Sequence, residues 1–219
     1  MKLAIYGSSG LGQEVLLIAK KINEKDSRWD EMIFIDDYES KIEKTGCKVF
    51  NFDNFKNNVA INECEVVIAV GEPSAREFLY NRVKDHCYKF TTLIHPNSCV
   101  NLIGSTVDIG CVVCFGAVIT ANTKIGKNVY IQSNSVLGHD VTVGDHCVLG
   151  CNSFIGGNTS VGKRSFTGFL SGIKEQVSIG DDVILAGGAM VFNDIPNEGV
   201  VIGNPGRIYK KNTEHKVFK

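Results

Sequence analysis

The chain has 219 residues, 43% of them hydrophobic and 21% charged, with a formal net charge of -1. These values fit a globular protein of one or two domains with enough length to bury a sizeable core. The balanced charge offers no electrostatic reason to expect nucleic acid or an anionic membrane as the main partner, and no apolar stretch reaches the roughly 18 residues of a spanning helix.

Residues 2–6 form a first apolar strand that opens the chain without a leader pattern, so a cytoplasmic location is expected. Gly7, Ser8, Ser9, Gly10, Leu11 and Gly12 make a turn, and residues 13–23 carry Val15, Leu16, Ile18, Ala19 and Ile22 at helical spacing. Residues 32–35 read as a second strand ending at Asp36 and Asp37, and residues 66–70 as a third closing on Gly71. A helix over residues 73–84 has Pro73 in its first turn, and a fourth strand over residues 90–94 precedes the break at His95, Pro96 and Asn97. Strand and helix in alternation predict a small parallel α/β sheet, Rossmann-like, over residues 1–97.

From residue 125 to 196 the sequence repeats every six residues. Position one is Ile, Leu or Val in eleven of twelve blocks, the exception being Thr167, and position two is Gly in eight. Position five is always small or β-branched, as in Val129, Ser135, Val141, Cys147 and Ser153. Two inward positions per six residues suit short strands joined by tight corners, which predicts a β-solenoid. A weaker run in another phase starts at Ile103, so a corner adjustment or a small slip between coils is expected near residues 121–125 within a coil covering about 101–196. Beyond it come residues 199–207 and a charged tail over residues 210–219, expected to be mobile.

The 8 cysteines are expected to be reduced and mostly buried, with Cys64, Cys99 and Cys147 in apolar strands and Cys111 and Cys151 at repeat corners. Cys111 and Cys114 form a C-x-x-C, but no second pair or histidine pair accompanies it, so no metal site is expected.

The strand-to-helix turn offers main-chain N–H groups and a helix's positive end to a phosphate; equally, it is the glycine-rich corner that any such junction needs. Asp36 and Asp37 lie at the carboxyl end of the neighbouring strand, where a carboxylate can accept from a ribose hydroxyl or base N–H. About 95 residues and four strands suit a mononucleotide better than a two-lobed dinucleotide fold. In the coil the histidines are His139 and His146. His139 takes the third place of its block, at a corner and outside the core, followed by Asp140. It reads as a solvated corner histidine or as a general base oriented by the acid.

Segments IYGSSGLG, FIDD, IAVG, LIHP, GHD, GGN, AGGA and GNPGR, spread over residues 1–208, resemble the sugar O- and N-acyltransferases of the sialic acid O-acetyltransferase type, a hexapeptide-repeat family. The layout is closest to its bacterial nucleotide-aminosugar N-acetyltransferases. The resemblance implies a left-handed parallel β-helix over residues 98–219, about five turns of three hexads each, and a homotrimer with sites between neighbouring coils. It implies acetyl-CoA as co-substrate, no metal, and a UDP- or dTDP-amino sugar as acceptor. His139 would be the general base and Asp140 its orienting acid. The glycine turn, Asp36, Asp37, Gly71 and Gln132 would hold the nucleotide sugar, and Gly157, Gly187, Gly203, Asn204 and Pro205 the coenzyme. Three positions depart from the pattern: Leu11 and Val148 stand where family histidines do, with His146 two residues before the latter, and Gln132 replaces an asparagine.

Direct attack without an acyl-enzyme is expected, since none of Cys111, Cys114, Cys147 and Cys151 pairs in sequence with His139. The rivals are a zinc hydratase, one histidine short of its ligand set, and a non-catalytic trimeric nucleotide-binding scaffold or sensor.

Overall fold

The computed structural model describes residues 1–101 and 103–218; Leu102 in the expected coil and Lys219 at the end of the expected tail lie outside them. The amino-terminal half is a sheet in the order β3-β4-β2-β1-β5-β6. Its strands are β1 (Lys2–Tyr6), β2 (Glu31–Ile35), β3 (Glu43–Lys44), β4 (Cys47–Phe50), β5 (Cys64–Ile68) and β6 (Lys89–Phe90). Among the described residues of this sheet the β3–β4 pairing is antiparallel and the others are parallel. Helix α1 (Gly10–Asp26) covers one face through Val15, Leu16, Ile18, Ala19 and Ile22, while α2 (Phe52–Asn58) and α3 (Pro73–Asp85) contribute Phe52, Phe55, Tyr80 and Val83 to the other. The strand expected over residues 90–94 divides: Lys89–Phe90 completes this sheet, and Leu93–Ile94 already pairs with Val112–Val113 in the coil.

The carboxyl-terminal half is a left-handed parallel β-helix of two-residue strands in three sheets of eight, six and five strands. Partners recur eighteen residues apart, as in Val112, Tyr130, Val148, Phe166 and Ile184 along one face. Inward residues such as Ile125, Val129, Ile131, Leu137, Leu149 and Leu185 form one continuous buried column. Each corner needs a residue with positive φ, and fifteen positions supply it at six-residue intervals from Gly104 to Gly188, five of them asparagine. Asparagine tolerates this region because its short amide bonds locally.

That corner rule corrects the phase read from Ile103. Gly104, Gly110 and Gly116 are corner residues with φ near +70° to +80°, equivalent to Asn122, Asn128 and Asn134. Ile103, Ile109 and Phe115 point outward, and Val113, Ile119 and the partly buried Val107 fill the core. The coil is regular through residues 121–125. The single extra residue lies earlier, in the seven-residue step from Cys99–Val100 to Thr106–Val107.

Helix α1 is clamped between its own sheet and the eight-stranded face, where Val112, Tyr130 and Val148 meet it. Helix α3 lies along one corner of the coil. There the guanidinium of Arg76, fully buried, donates to the carbonyls of Ile68 and Val70 and to Asn128 through both its carbonyl and its side-chain oxygen. Burial lowers the Arg76 guanidinium to about 10. Farther along the same corner Arg164 bridges Glu77 of α3 and Asp182.

The tail is docked rather than free. Strands Gly199–Ile202 and Arg207–Lys211 form an antiparallel pair; Asn212 then donates to the Asp182 carbonyl, and Val217 and Phe218 donate their amides to the Glu72 carboxylate. All eight cysteines carry free thiols, and against expectation Cys99 is exposed, as is Cys87. No helix among the described residues is long and apolar enough to cross a membrane.

Candidate functional site

The amino-terminal part of the site follows from β1 running into α1. Gly7 adopts φ +112°, and a Cβ on Gly12 would fall 2.0 Å from the Gly7 carbonyl oxygen, so both glycines are obligatory. Gly10, by contrast, faces open space, and Ser9 caps α1 without a side-chain bond to the first-turn N–H groups. The helix begins at Gly10, so the turn proper is Gly7, Ser8 and Ser9. Ser8 donates both its amide and its hydroxyl to Asp36, at 2.9 and 2.7 Å. Burial alone would raise the Asp36 carboxyl, but the bonds from Ser8, Tyr38 and Glu39 outweigh it and hold it below the ordinary range. Asp37 turns to Tyr6, Arg82 and the Phe52 amide, and so anchors the α2 side of the sheet. Gly71 follows β5 on the same sheet edge, next to Leu11.

In the coil, His139 sits at the corner between Val136–Leu137 of the six-stranded face and Thr142–Val143 of the five-stranded face. This vertex is opposite the eight-stranded face that carries the amino-terminal domain. His139 Nδ1 lies 2.8 Å from Asp140 Oδ2, and Asn122 donates to Asp140 Oδ1 from the preceding coil at 3.1 Å. Those two bonds, His139 first, hold the Asp140 carboxyl below its ordinary range. A carboxylate only accepts, so in the neutral ring Nδ1 carries the proton and Nε2 presents the lone pair. Asp140 reaches the ring because it occupies the positive-φ corner, φ 58°, instead of extended backbone.

Gly157 lies eighteen residues on, directly beneath the ring: a Cβ there would come within 2.7 Å of Nε2. At some other third positions the N–H is occupied, Lys127 by Asp145, Lys163 by Asp181, Asp181 by Asn197 and Cys151 by Gln132, whereas those of Ser133, Asp145, Phe169 and Glu175 have no acceptor among the described residues. Among the described residues neither the Gly157 nor the Gly187 N–H finds an acceptor. Gly187 lies at a different vertex, under the ring of Phe169, and the turn holding Gly203, Asn204 and Pro205 abuts Met190 nearby. Gln132 is on that second vertex too, with its side-chain oxygen on Cys151. Within one chain, then, His139, Asp140 and Gly157 form one group, Gly187 and Gly203 another, and the glycine turn, Asp36 and Gly71 a third.

His146 belongs to none of them. Buried at the corner under α3, its Nδ1 meets the side-chain amide of Asn128 at 3.0 Å and its ring packs edge-on to Tyr80. Among the described residues no three His, Cys, Asp or Glu side chains are grouped to hold a metal ion. Sequence reasoning missed Arg76, which sets the joint between the halves, and Phe218, whose ring reaches Gly71.

Residues 2–83 match the PglD N-terminal domain and residues 122–157 the bacterial transferase hexapeptide (six repeats). Among solved structures, the acetyltransferase domain of PglB from Neisseria gonorrhoeae FA1090, also solved with acetyl coenzyme A, is 25% identical with a TM-score of 0.88, covering 94% of this chain and 98% of that one. PerB from Caulobacter crescentus, in complex with CoA and GDP-perosamine, is 25% identical with a TM-score of 0.87, covering 96% and 98%. WeeI from Acinetobacter baumannii AYE shares the fold at 23% identity and a TM-score of 0.77, covering 95% and 100%.

Proposed function

We propose that this chain, a hexapeptide-repeat acetyltransferase with a PglD-type amino-terminal domain, transfers an acetyl group from acetyl-CoA to an amino group on a nucleotide-linked sugar. The observation that carries the reading is His139: exposed at a vertex, its Nδ1 tied to Asp140 and its Nε2 free above Gly157. The amine nitrogen attacks the thioester carbonyl carbon, Nε2 takes the amine proton, and the C–S bond breaks to release CoA as its thiol once that proton is returned. The unpaired Gly157 N–H is available to the developing oxyanion, and holding both substrates together supplies proximity. No acyl-enzyme is needed. Cys111 and Cys147 are buried and their thiols pushed up to about 12, and the buried Cys114 is pushed up to about 11, all by desolvation, so none is a ready nucleophile.

The nucleotide turn is joined to the eight-stranded face while His139 occupies the opposite vertex, so one chain does not bring its own base to its own acceptor. A homotrimer, in which His139 of one protomer meets the acceptor held by its neighbour, resolves that separation. The sugar's nucleotide is left open among UDP, GDP and dTDP, since PerB was solved with a GDP sugar. An acetyl-CoA donor favours a cytoplasmic location. The test is release of free CoA from acetyl-CoA with a panel of UDP-, GDP- and dTDP-amino sugars. His139→Ala is expected to lose about 10²- to 10⁴-fold in kcat. Near-normal turnover by that variant would remove the base, and nucleotide binding without CoA release would make the chain a sensor.

A further inference from the structure

The carboxyl-terminal segment ends against the nucleotide-binding edge. Glu72, the residue before α3, accepts the Val217 amide at 2.9 and 3.1 Å and the Phe218 amide at 3.0 Å. The Phe218 ring packs edge-on to Phe166, which projects from the eight-stranded face, with centroids 5.6 Å apart. A methyl group built on Gly71 would lie 3.6 Å from the Phe218 ring and 3.7 Å from the Leu11 side chain, so both flank the same point. Phe218 nevertheless keeps 55% of its surface exposed. The ring is thus fixed through its backbone and presents an open face beside Gly71 and Leu11.

Strand order says which part of the ligand would meet that face. Along the sheet, β2 and β5 flank β1. A diphosphate received at the start of α1 stands at the end of β1. Asp36, which ties the Ser8 turn to the Tyr38–Glu39 loop, follows β2 on one side, and the nucleoside is directed to that strand end. The sugar is then directed to the other side, over Gly71, Leu11 and Phe218.

We infer that Phe218 is a specificity-determining residue: with Leu11 and Phe166 it makes an apolar wall for the sugar of the acceptor, held in place by the grip of Glu72 on the tail. The inference rests on the function proposed above and specifies its acceptor end. A wall of this kind selects a sugar that presents an apolar edge, and it touches neither the diphosphate nor the thioester.

The experiment compares the full chain with Phe218→Ala and Glu72→Ala, using calorimetric titration with UDP, GDP and dTDP and steady-state turnover of the nucleotide amino sugar that the unaltered chain accepts. Both variants are expected to raise the acceptor KM about tenfold, the scale of one partly buried aromatic contact. KM for acetyl-CoA and affinity for the bare nucleotide should stay unchanged, and Phe218→Leu should recover part of the loss. An unchanged acceptor KM would overturn the inference; so would a lowered one, which would make the tail a plug, or an equal loss of bare-nucleotide affinity, which would mean the edge had collapsed. If the unaltered chain binds none of the three nucleotides and turns over no amino sugar, the proposed function itself fails and takes this inference with it.

Discussion

The imidazole of His139 rests on Gly157 so closely that a methyl group at residue 157 would stand 2.7 Å from Nε2. The ring is the end of an exposed side chain, so it can swing into solvent at little cost. Gly157→Ala is therefore expected to leave stability within about 0.5 kcal/mol of the parent while lowering kcat at least tenfold by moving the base. Thermal unfolding and CoA release measured on the same preparation check both halves.

Arg76 satisfies its guanidinium entirely with carbonyl and amide oxygens, and among the described residues no carboxylate pairs with it. Removing it strands the oxygens of Ile68, Val70 and Asn128 at the joint between the domains. Arg76→Met is expected to cost about 3–5 kcal/mol in urea unfolding. Arg76→Lys should cost nearly as much, since an ammonium has too few donors and the wrong geometry.

The inward column of the coil was legible because burial imposes the same two residue types in every hexad, from Ile125 and Val129 onward. The phase before residue 121 was not, because glycine serves both as the small residue after an aliphatic one and as the positive-φ corner. At Gly104, Gly110 and Gly116 it is the corner. His139 and Asp140 were legible as a pair, and the left-handed φ of Asp140 is what makes adjacent residues meet. Arg76 carried no signal, since a single arginine on a short helix reads as solvated until its neighbours are known. The tail contact was equally hidden: Glu72 and Val217 are 145 residues apart, and nothing local marks either as the other's partner.

His146 gives the joint a pH dependence. Its Nδ1 accepts from Asn128 and has no room for a second proton facing that amide, and burial lowers its pKa, with Arg76 and Arg164 adding to the effect against Glu77 and Asp145. The unfolded chain then binds a proton near pH 6.5 that the folded chain refuses until lower pH, so stability falls as pH drops from about 6.5 toward the depressed folded value. Urea midpoints between pH 7.5 and 5 should show this slope, and His146→Gln should remove its share of it.

Leu170 occupies a corner at φ 55° that Asn152 fills one coil earlier, and it is 61% exposed beside Phe169, 64% exposed. A branched apolar residue loses about 1 kcal/mol in that backbone region and gains nothing from facing water. Both costs are recovered if a neighbouring protomer covers the pair, as the proposed trimer allows. Leu170→Asn should relieve the backbone and remove the apolar contact together. Self-association, followed by sedimentation equilibrium over a dilution series, is expected to weaken about tenfold or more per contact, the value of one buried leucine. Unchanged association would place this vertex outside the interface and leave the strain at Leu170 without a partner to explain it.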